Sequence, residues 1–105
     1  MKKKFTISSD VYPFPLTIHI GYEHEYDFPC KTAHFHIEED GFHRSEIYLE
    51  DFDWVCADMA TLTHEMLHYV QAVMETTSID DNEASAYLLE CMMKKAYKKL
   101  APKKK

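Results

Sequence analysis

The sequence has little of what builds disulfide scaffolds, flexible linkers or membrane spans. It holds two glycines, four prolines and three cysteines in 105 residues. Cys30, Cys56 and Cys91 stand at unrelated spacings, which excludes a disulfide framework and a Cys-x-x-Cys zinc site. No run of about 18 apolar residues is present, and the basic start at Lys2 to Lys4 lacks the apolar segment of a signal peptide. We therefore predict a cytoplasmic protein with no membrane partner.

Positive charge is also scarce: 12 basic against 18 acidic residues give a net charge of -6. This balance argues against binding of a nucleic-acid backbone as the main task. The lysines cluster at Lys2 to Lys4 and between Lys94 and Lys105, and we interpret these runs as solvated termini and a solvated helix face. The 46% hydrophobic content predicts one globular domain over residues 1–105.

Histidine is plentiful, and two of the seven histidines belong to the motif His64-Glu65-x-x-His68. The motif lies in a segment of helical periodicity, with an apolar stripe formed by Leu62, Met66, Tyr69, Val70 and Val73. One helical turn separates His64 from His68, so both imidazoles lie on one face and can fill two corners of a tetrahedral Zn²⁺ site. Glu65 is then placed to take a proton from a zinc-bound water. The polar stripe around the histidines predicts a face turned toward a cleft.

Alternating apolar residues predict strands between about residues 5 and 50, as at Leu16, Ile18 and Ile20. Two helices are predicted at about residues 58–75 and 82–100, with Asp58 as N-cap of the first helix. Asp80 and Asp81 are the cap candidates for the second helix. The predicted fold class is α+β, with a small, largely antiparallel sheet packed on two helices.

A hairpin is predicted around Asp40-Gly41. Ala33, Phe35 and Ile37 are expected to point into the core, so a two-residue loop, which would set Phe35 opposite Glu46, would place a charge on the core face. We therefore expect a three- or five-residue connection, with Ile47 opposite Phe35 or Ile37.

A third metal ligand is sought downstream, and Glu83 opens the second helix fifteen residues after His68. His-Glu-x-x-His followed by a helix-borne Glu resembles the gluzincins, the metallopeptidase group that includes thermolysin. The Asn82-Glu83-Ala84 start resembles the thermolysin-type third-ligand segment. The chain length and the run from Glu83 to Leu89 are similar to small phage and prophage zinc-peptidase-like proteins and to minigluzincins. The resemblance covers roughly residues 46–100.

This resemblance implies a zincin-like fold and a zinc metallopeptidase that acts on a peptide or protein substrate, in the host cytoplasm if the chain is phage-encoded. By the same likeness, His64, His68 and Glu83 would bind one Zn²⁺, and Glu65 would be the general base and acid. Such families pair an extended substrate with an edge strand beside the helix. The candidate edge strand is the segment Glu46, Ile47, Tyr48, Leu49 and Glu50.

The sequence departs from the thermolysin-type pattern four residues after the ligand Glu, where Tyr87 replaces an Asp that orients a zinc histidine. Tyr87, Asp80 or Asp81 could supply that hydrogen bond, although core packing is the simpler role for Tyr87. Glu83 could instead be only an acidic first-turn residue, with Asp80 forming a capping box. Asp80 or Asp81 would then be the fallback ligand.

Other interpretations stay open at this point. His34 and His36 share one face of a strand and could chelate a metal, but a solvated sheet face is the simpler interpretation. A competing function is a non-catalytic phage or prophage accessory protein with a structural or vestigial zinc, its fourth position closed by Cys30, His24 or a partner. A metal-free binding domain would require the motif to be a coincidence.

Overall fold

Residues 2–101 are described by a computed structural model, in which four strands precede two helices. The elements are β1 (Lys3–Ile7), β2 (Leu16–Ile20), β3 (Ala33–Glu39), β4 (Phe42–Leu49), α1 (Cys56–Thr77) and α2 (Asn82–Leu100). The sheet order is β1-β2-β4-β3; β1 with β2 and β3 with β4 are antiparallel, and β2 with β4 is parallel. The predicted α+β class is confirmed. The predicted solvated lysines 103–105 lie outside the described residues.

The two faces of the sheet follow from the strand register, because residues directly opposite each other share a face. We call the side that carries Ile18, Ile47 and His34 the inner face, since these residues are successive partners across β2, β4 and β3. The outer face carries Glu46 and its partner Phe35. Both helices cover the inner face: α1 packs across β3 and β4, and α2 packs against α1 and β1.

The core lies between the inner face and the two helices. Its buried members include Leu16, Ile18, Ile20, Ile47, Leu49, Leu62, Met66, Tyr69, Val70, Val73, Leu88, Met92 and Ala96. The apolar stripe predicted for the first helix is therefore confirmed. Tyr69 also donates a 2.6 Å hydrogen bond from its hydroxyl to the Phe14 carbonyl, which satisfies the polar tip of this buried side chain.

Helix α2 spans the predicted residues 82–100, whereas α1 begins and ends two residues outside the predicted range 58–75. This helix begins at Cys56, so the prediction of Asp58 as N-cap is wrong. Asp58 lies in the first turn instead, where its carboxylate accepts a 2.8 Å hydrogen bond from the Asp53 backbone N–H. Asp81 caps α2, as one of the two predicted candidates, and accepts from the Glu83 N–H at 2.9 Å. Within residues 2–101, neither helix combines the length and apolarity that crossing a membrane requires.

The predicted hairpin register is wrong. Asp40 and Gly41 form a two-residue loop with positive φ angles of 54° and 80°, and Phe35 lies opposite Glu46. Two positive φ angles are typical of the tight turns that match the twist of a hairpin. The prediction failed because it placed Phe35 in the core. Phe35 lies on the outer face, where its ring packs on Tyr26 with centroids 4.2 Å apart.

The predicted edge strand is also wrong. Strand β4, which contains Glu46, Ile47, Tyr48 and Leu49 and ends before Glu50, lies between β2 and β3 and pairs with both. The free edge beside α1 belongs to β3. The reason is the parallel pairing of β2 with β4: residues 21–32 carry the chain past the position of β4 to the edge, and the hairpin then returns inward.

Candidate metal centre

The motif histidines lie at the separation of two ligands on one metal ion. The Nε2 atoms of His64 and His68 are 3.2 Å apart, a distance that also allows a hydrogen bond between neutral rings. Two nitrogens bound at 2.0–2.1 Å to one tetrahedral zinc would be about 3.3 Å apart. Potential ligand atoms of His64, Glu65 and His68 all lie within 4.8 Å of one another. The side chains present therefore fit a zinc ion without any change in the helix.

Glu65 is buried beside these histidines, with 7% of its surface exposed. Burial raises the pKa of its carboxyl, while the charges of His64 and His68 act in the opposite direction. Within residues 2–101, no N–H or O–H group donates a hydrogen bond to this carboxylate. A carboxylate with a raised pKa and no hydrogen-bond partner, on a side chain that is otherwise largely buried, has the properties of a general base.

The motif opens into a cleft of about 600 Å³ between α1 and β3. We call this space the cleft; it is lined by Phe28, Cys30, Thr32, Ala33, His34, His36, His64, Glu65, His68, Gln71, Ala72 and Glu75. Gln71 and Glu75 continue the polar stripe of the histidines along α1, so the prediction that this stripe faces a cleft is confirmed. No residue of α2 is among the lining side chains.

His34 belongs to the cleft, although the sequence favoured a solvated sheet face for it. Its ring centroid lies 6.5 Å from that of His68, with ring planes 18° from parallel. Burial, helped by the charges of His68 and His36, lowers the pKa of His34 to about 4. The ring is therefore neutral near pH 7 and keeps a free lone pair. His36, on the same face, is exposed, and its Nε2 lies 3.0 Å from His43 Nδ1.

The structure does not bring Glu83 to the motif histidines. Glu83 is exposed in the first turn of α2, where its backbone N–H is bound by the Asp81 cap, and it does not line the cleft. Its role as third ligand stays a prediction. Asp80 is exposed outside the cleft. Tyr87 is 68% exposed and does not line the cleft, so it has neither the core role nor a place beside His64 and His68.

The two suggested closing ligands are in contact, but only one of them lines the cleft. Cys30 lines the cleft. His24 lies among the aromatic rings of the outer face, 4.7 Å from the Phe35 centroid, and its Nε2 is 2.6 Å from the Cys30 carbonyl oxygen. Of the two, only Cys30 is therefore placed near the motif.

No protein-family model, curated protein or solved structure matches this chain. Its function must therefore be argued from the geometry of the cleft.

Proposed function

We propose that this chain is a minimal zincin-like metallopeptidase that hydrolyses peptide bonds with one zinc ion. The observation that carries the proposal is the placement of three side chains. His64 and His68 offer nitrogens at the spacing of two zinc ligands, and the carboxylate of Glu65 beside them, on a largely buried side chain, accepts no hydrogen bond from the described residues. The proposal does not depend on which residue supplies the third ligand.

Each motif residue has a defined task in this reaction. His64 and His68 would hold a zinc ion, which would act as a Lewis acid toward the scissile carbonyl and lower the pKa of a water molecule toward 7. Glu65 removes a proton from the attacking water and delivers it to the leaving amine. The raised pKa of its carboxyl favours this exchange, because a base works best when its pKa lies near the operating pH. The buried position of Glu65 holds the carboxylate in one place.

The substrate that suits this cleft is an extended peptide segment. Strand β3 forms the sheet edge beside α1, and Thr32, Ala33, His34 and His36 line the cleft along it. A peptide that adds to this edge by β-augmentation would run past the motif with its backbone hydrogen-bonded to β3. Phe28 and Cys30, from the segment before β3, form part of the rim. The substrate edge is therefore proposed at β3.

A non-catalytic metal site is the second candidate, and one observation favours it. The carboxylate of Glu65 lies within the same 4.8 Å group as the histidine nitrogens, so it could itself bind the metal. Glu65 would then be a ligand and could not act as a base. The protein would be an accessory or interaction protein with a structural zinc. The two candidates differ in what happens to the metal when Glu65 is changed.

Glu65→Gln tests the proposal, since glutamine keeps the volume of the side chain but removes the base. We expect zinc content to stay the same and cleavage of a proteome-derived peptide library, followed by mass spectrometry, to fall by roughly 10²- to 10⁴-fold. Glu75→Gln, on the same cleft-lining stripe of α1, is the matched control and should retain cleavage. Equal cleavage by wild type and Glu65→Gln would contradict the proposal. Loss of zinc from Glu65→Gln, with no cleavage by wild type, would establish the non-catalytic site.

A further inference from the structure

One buried nitrogen of a side chain that lines the cleft has no hydrogen-bond partner. Among residues 2–101, two side-chain atoms are buried without one, His34 Nε2 and Ser45 Oγ, and both residues lie on the inner face. A buried imidazole nitrogen without a partner destabilises the fold, and such atoms need a specific explanation. A metal ion in the cleft would give the His34 nitrogen a partner.

The position of the His34 ring is compatible with this explanation. Two imidazoles bound to one tetrahedral zinc have ring centroids about 5 Å apart, given bonds of 2.0–2.1 Å to each nitrogen. The centroids of His64 and His68 are 4.8 Å apart, and those of His34 and His68 are 6.5 Å apart. The separation of the His34 and His68 centroids must therefore shorten by about 1.5 Å, a change that side-chain rotation can supply.

The other candidate ligands near the motif are less suitable. His36 already faces His43 at 3.0 Å, and Cys30 lies on an exposed segment before β3. Glu83 lies outside the cleft. His34, in contrast, sits on a strand whose backbone is fixed by pairing with Ile47 of β4. A rigid strand can hold a ligand at a set distance from α1.

We propose that His34 is the third protein ligand of the metal, together with His64 and His68. This inference rests on the proposed metal site and names the donor that completes it. The metal would then join the sheet edge to α1, and Glu65 would remain free as the base. Three protein ligands with an open fourth position are typical of catalytic zinc sites, whereas a fourth protein ligand is typical of structural ones.

Metal affinity gives the first test. Metal-free protein is titrated with Zn²⁺ by calorimetry, comparing His34→Ala with His36→Ala, the histidine two residues along the same strand face. Residues that only orient a ligand change metal affinity by about 10- to 100-fold. We therefore expect His34→Ala to weaken Zn²⁺ binding by more than about 100-fold and His36→Ala to bind nearly as wild type. Circular dichroism of each metal-free variant checks that the fold is kept.

A spectroscopic test identifies the ligand directly. In a Cys30→Ser background, which removes the native thiol of the cleft, His34→Cys is titrated with Co²⁺. A thiolate-to-cobalt charge-transfer band is expected in this protein and not in the matched His36→Cys variant. Absence of the band from His34→Cys, with His34→Ala binding Zn²⁺ as tightly as His36→Ala, would overturn the inference.

Three further variants separate the inference from the proposed function. Loss of Zn²⁺ binding in Glu83→Ala, with His34→Ala unaffected, would assign the third ligand to α2 and overturn only the inference. Full Zn²⁺ binding in both His64→Ala and His68→Ala would overturn the metal site itself.

Discussion

Glu46 and Glu65 lie on opposite sides of one sheet, each beside histidine, and differ in their hydrogen bonds. On the outer face, the Glu46 carboxylate accepts hydrogen bonds from four side chains, those of His19, Tyr26, Arg44 and Tyr48. His19 Nε2 lies 2.9 Å from the Glu46 oxygen Oε1. On the inner side, Glu65 accepts none from the described residues. Glu46, on the outer side of the sheet, is therefore satisfied by hydrogen bonds, and Glu65, on the inner side, is not.

The two carboxyl groups also differ in pKa, which is lowered for Glu46 and raised for Glu65. Burial acts to raise the pKa of Glu46, but hydrogen bonds from Tyr26 and His19 and the charges of His19 and Arg44 outweigh it, so the pKa is lowered. Burial of Glu65 meets no such hydrogen bonds, and its pKa is raised. Hydrogen-bond partners, more than burial, therefore decide whether the pKa of each of these carboxyl groups is lowered or raised.

The largest effect on stability is expected at Glu46. Glu46→Gln weakens several hydrogen bonds to a charged group, so we expect the free energy of unfolding to fall by about 2 kcal/mol. Glu65→Gln removes no hydrogen bond within the described residues and should leave the metal-free protein within about 0.5 kcal/mol of wild type. Urea denaturation of both metal-free variants at neutral pH measures the difference. Equal losses would mean that Glu65 has partners comparable to those of Glu46.

The fold was predictable where the signal is local. The apolar stripe of α1 and the Asp81 cap both follow from residues within one or two turns, and both are confirmed. The hairpin register was not predictable in this way. Aromatic side chains also cover the outer face, and Phe35 packs among them. One of them is Tyr26, from the segment before β3, which packs on Phe35. Alternation alone cannot say which of two covered faces carries the core.

The site was predictable only along α1. His64, Glu65 and His68 lie on one helix, so their spacing fixes their geometry. The position of His34 depends on the parallel pairing of β2 with β4, two strands that are far apart in the sequence. This pairing puts β3 at the edge of the sheet, with its histidines toward α1. The local signal was the alternation of His34 and His36 with apolar neighbours, which identified a shared face but not what the face would meet.

The pH dependence of protein stability tests the role of Glu46 on the outer face. The folded-state pKa of Glu46 lies below the ordinary value of 4.5, so its network stabilises the protein at neutral pH. Below pH 4.5 the unfolded chain takes up the proton first, and this stabilisation is lost as pH falls through the folded-state pKa. Wild type should therefore lose stability more steeply than Glu46→Gln in this range. Parallel urea-denaturation profiles would contradict this account.

The smallest effect is expected from removing one donor to Glu46. Burial and the hydrogen bond to Glu46 raise the pKa of Tyr26 to about 12, so its hydroxyl remains a donor at neutral pH. Tyr26→Phe keeps the packing on Phe35 and should cost about 1 kcal/mol. It should also raise the pKa of Glu46, measurable by NMR titration of its side chain. An unchanged Glu46 pKa would show that the other donors suffice.

The central claim, that the inner side of the sheet holds a metal centre, is tested most directly by Zn²⁺ titration of the metal-free chain. Calorimetry of wild type beside a His64→Ala, His68→Ala double variant gives stoichiometry and affinity in one measurement, with His43→Ala as a control histidine that does not line the cleft. We predict one Zn²⁺ per chain for wild type and for His43→Ala, and loss of that site in the double variant. No Zn²⁺ binding by wild type, or unchanged binding by the double variant, would contradict the claim.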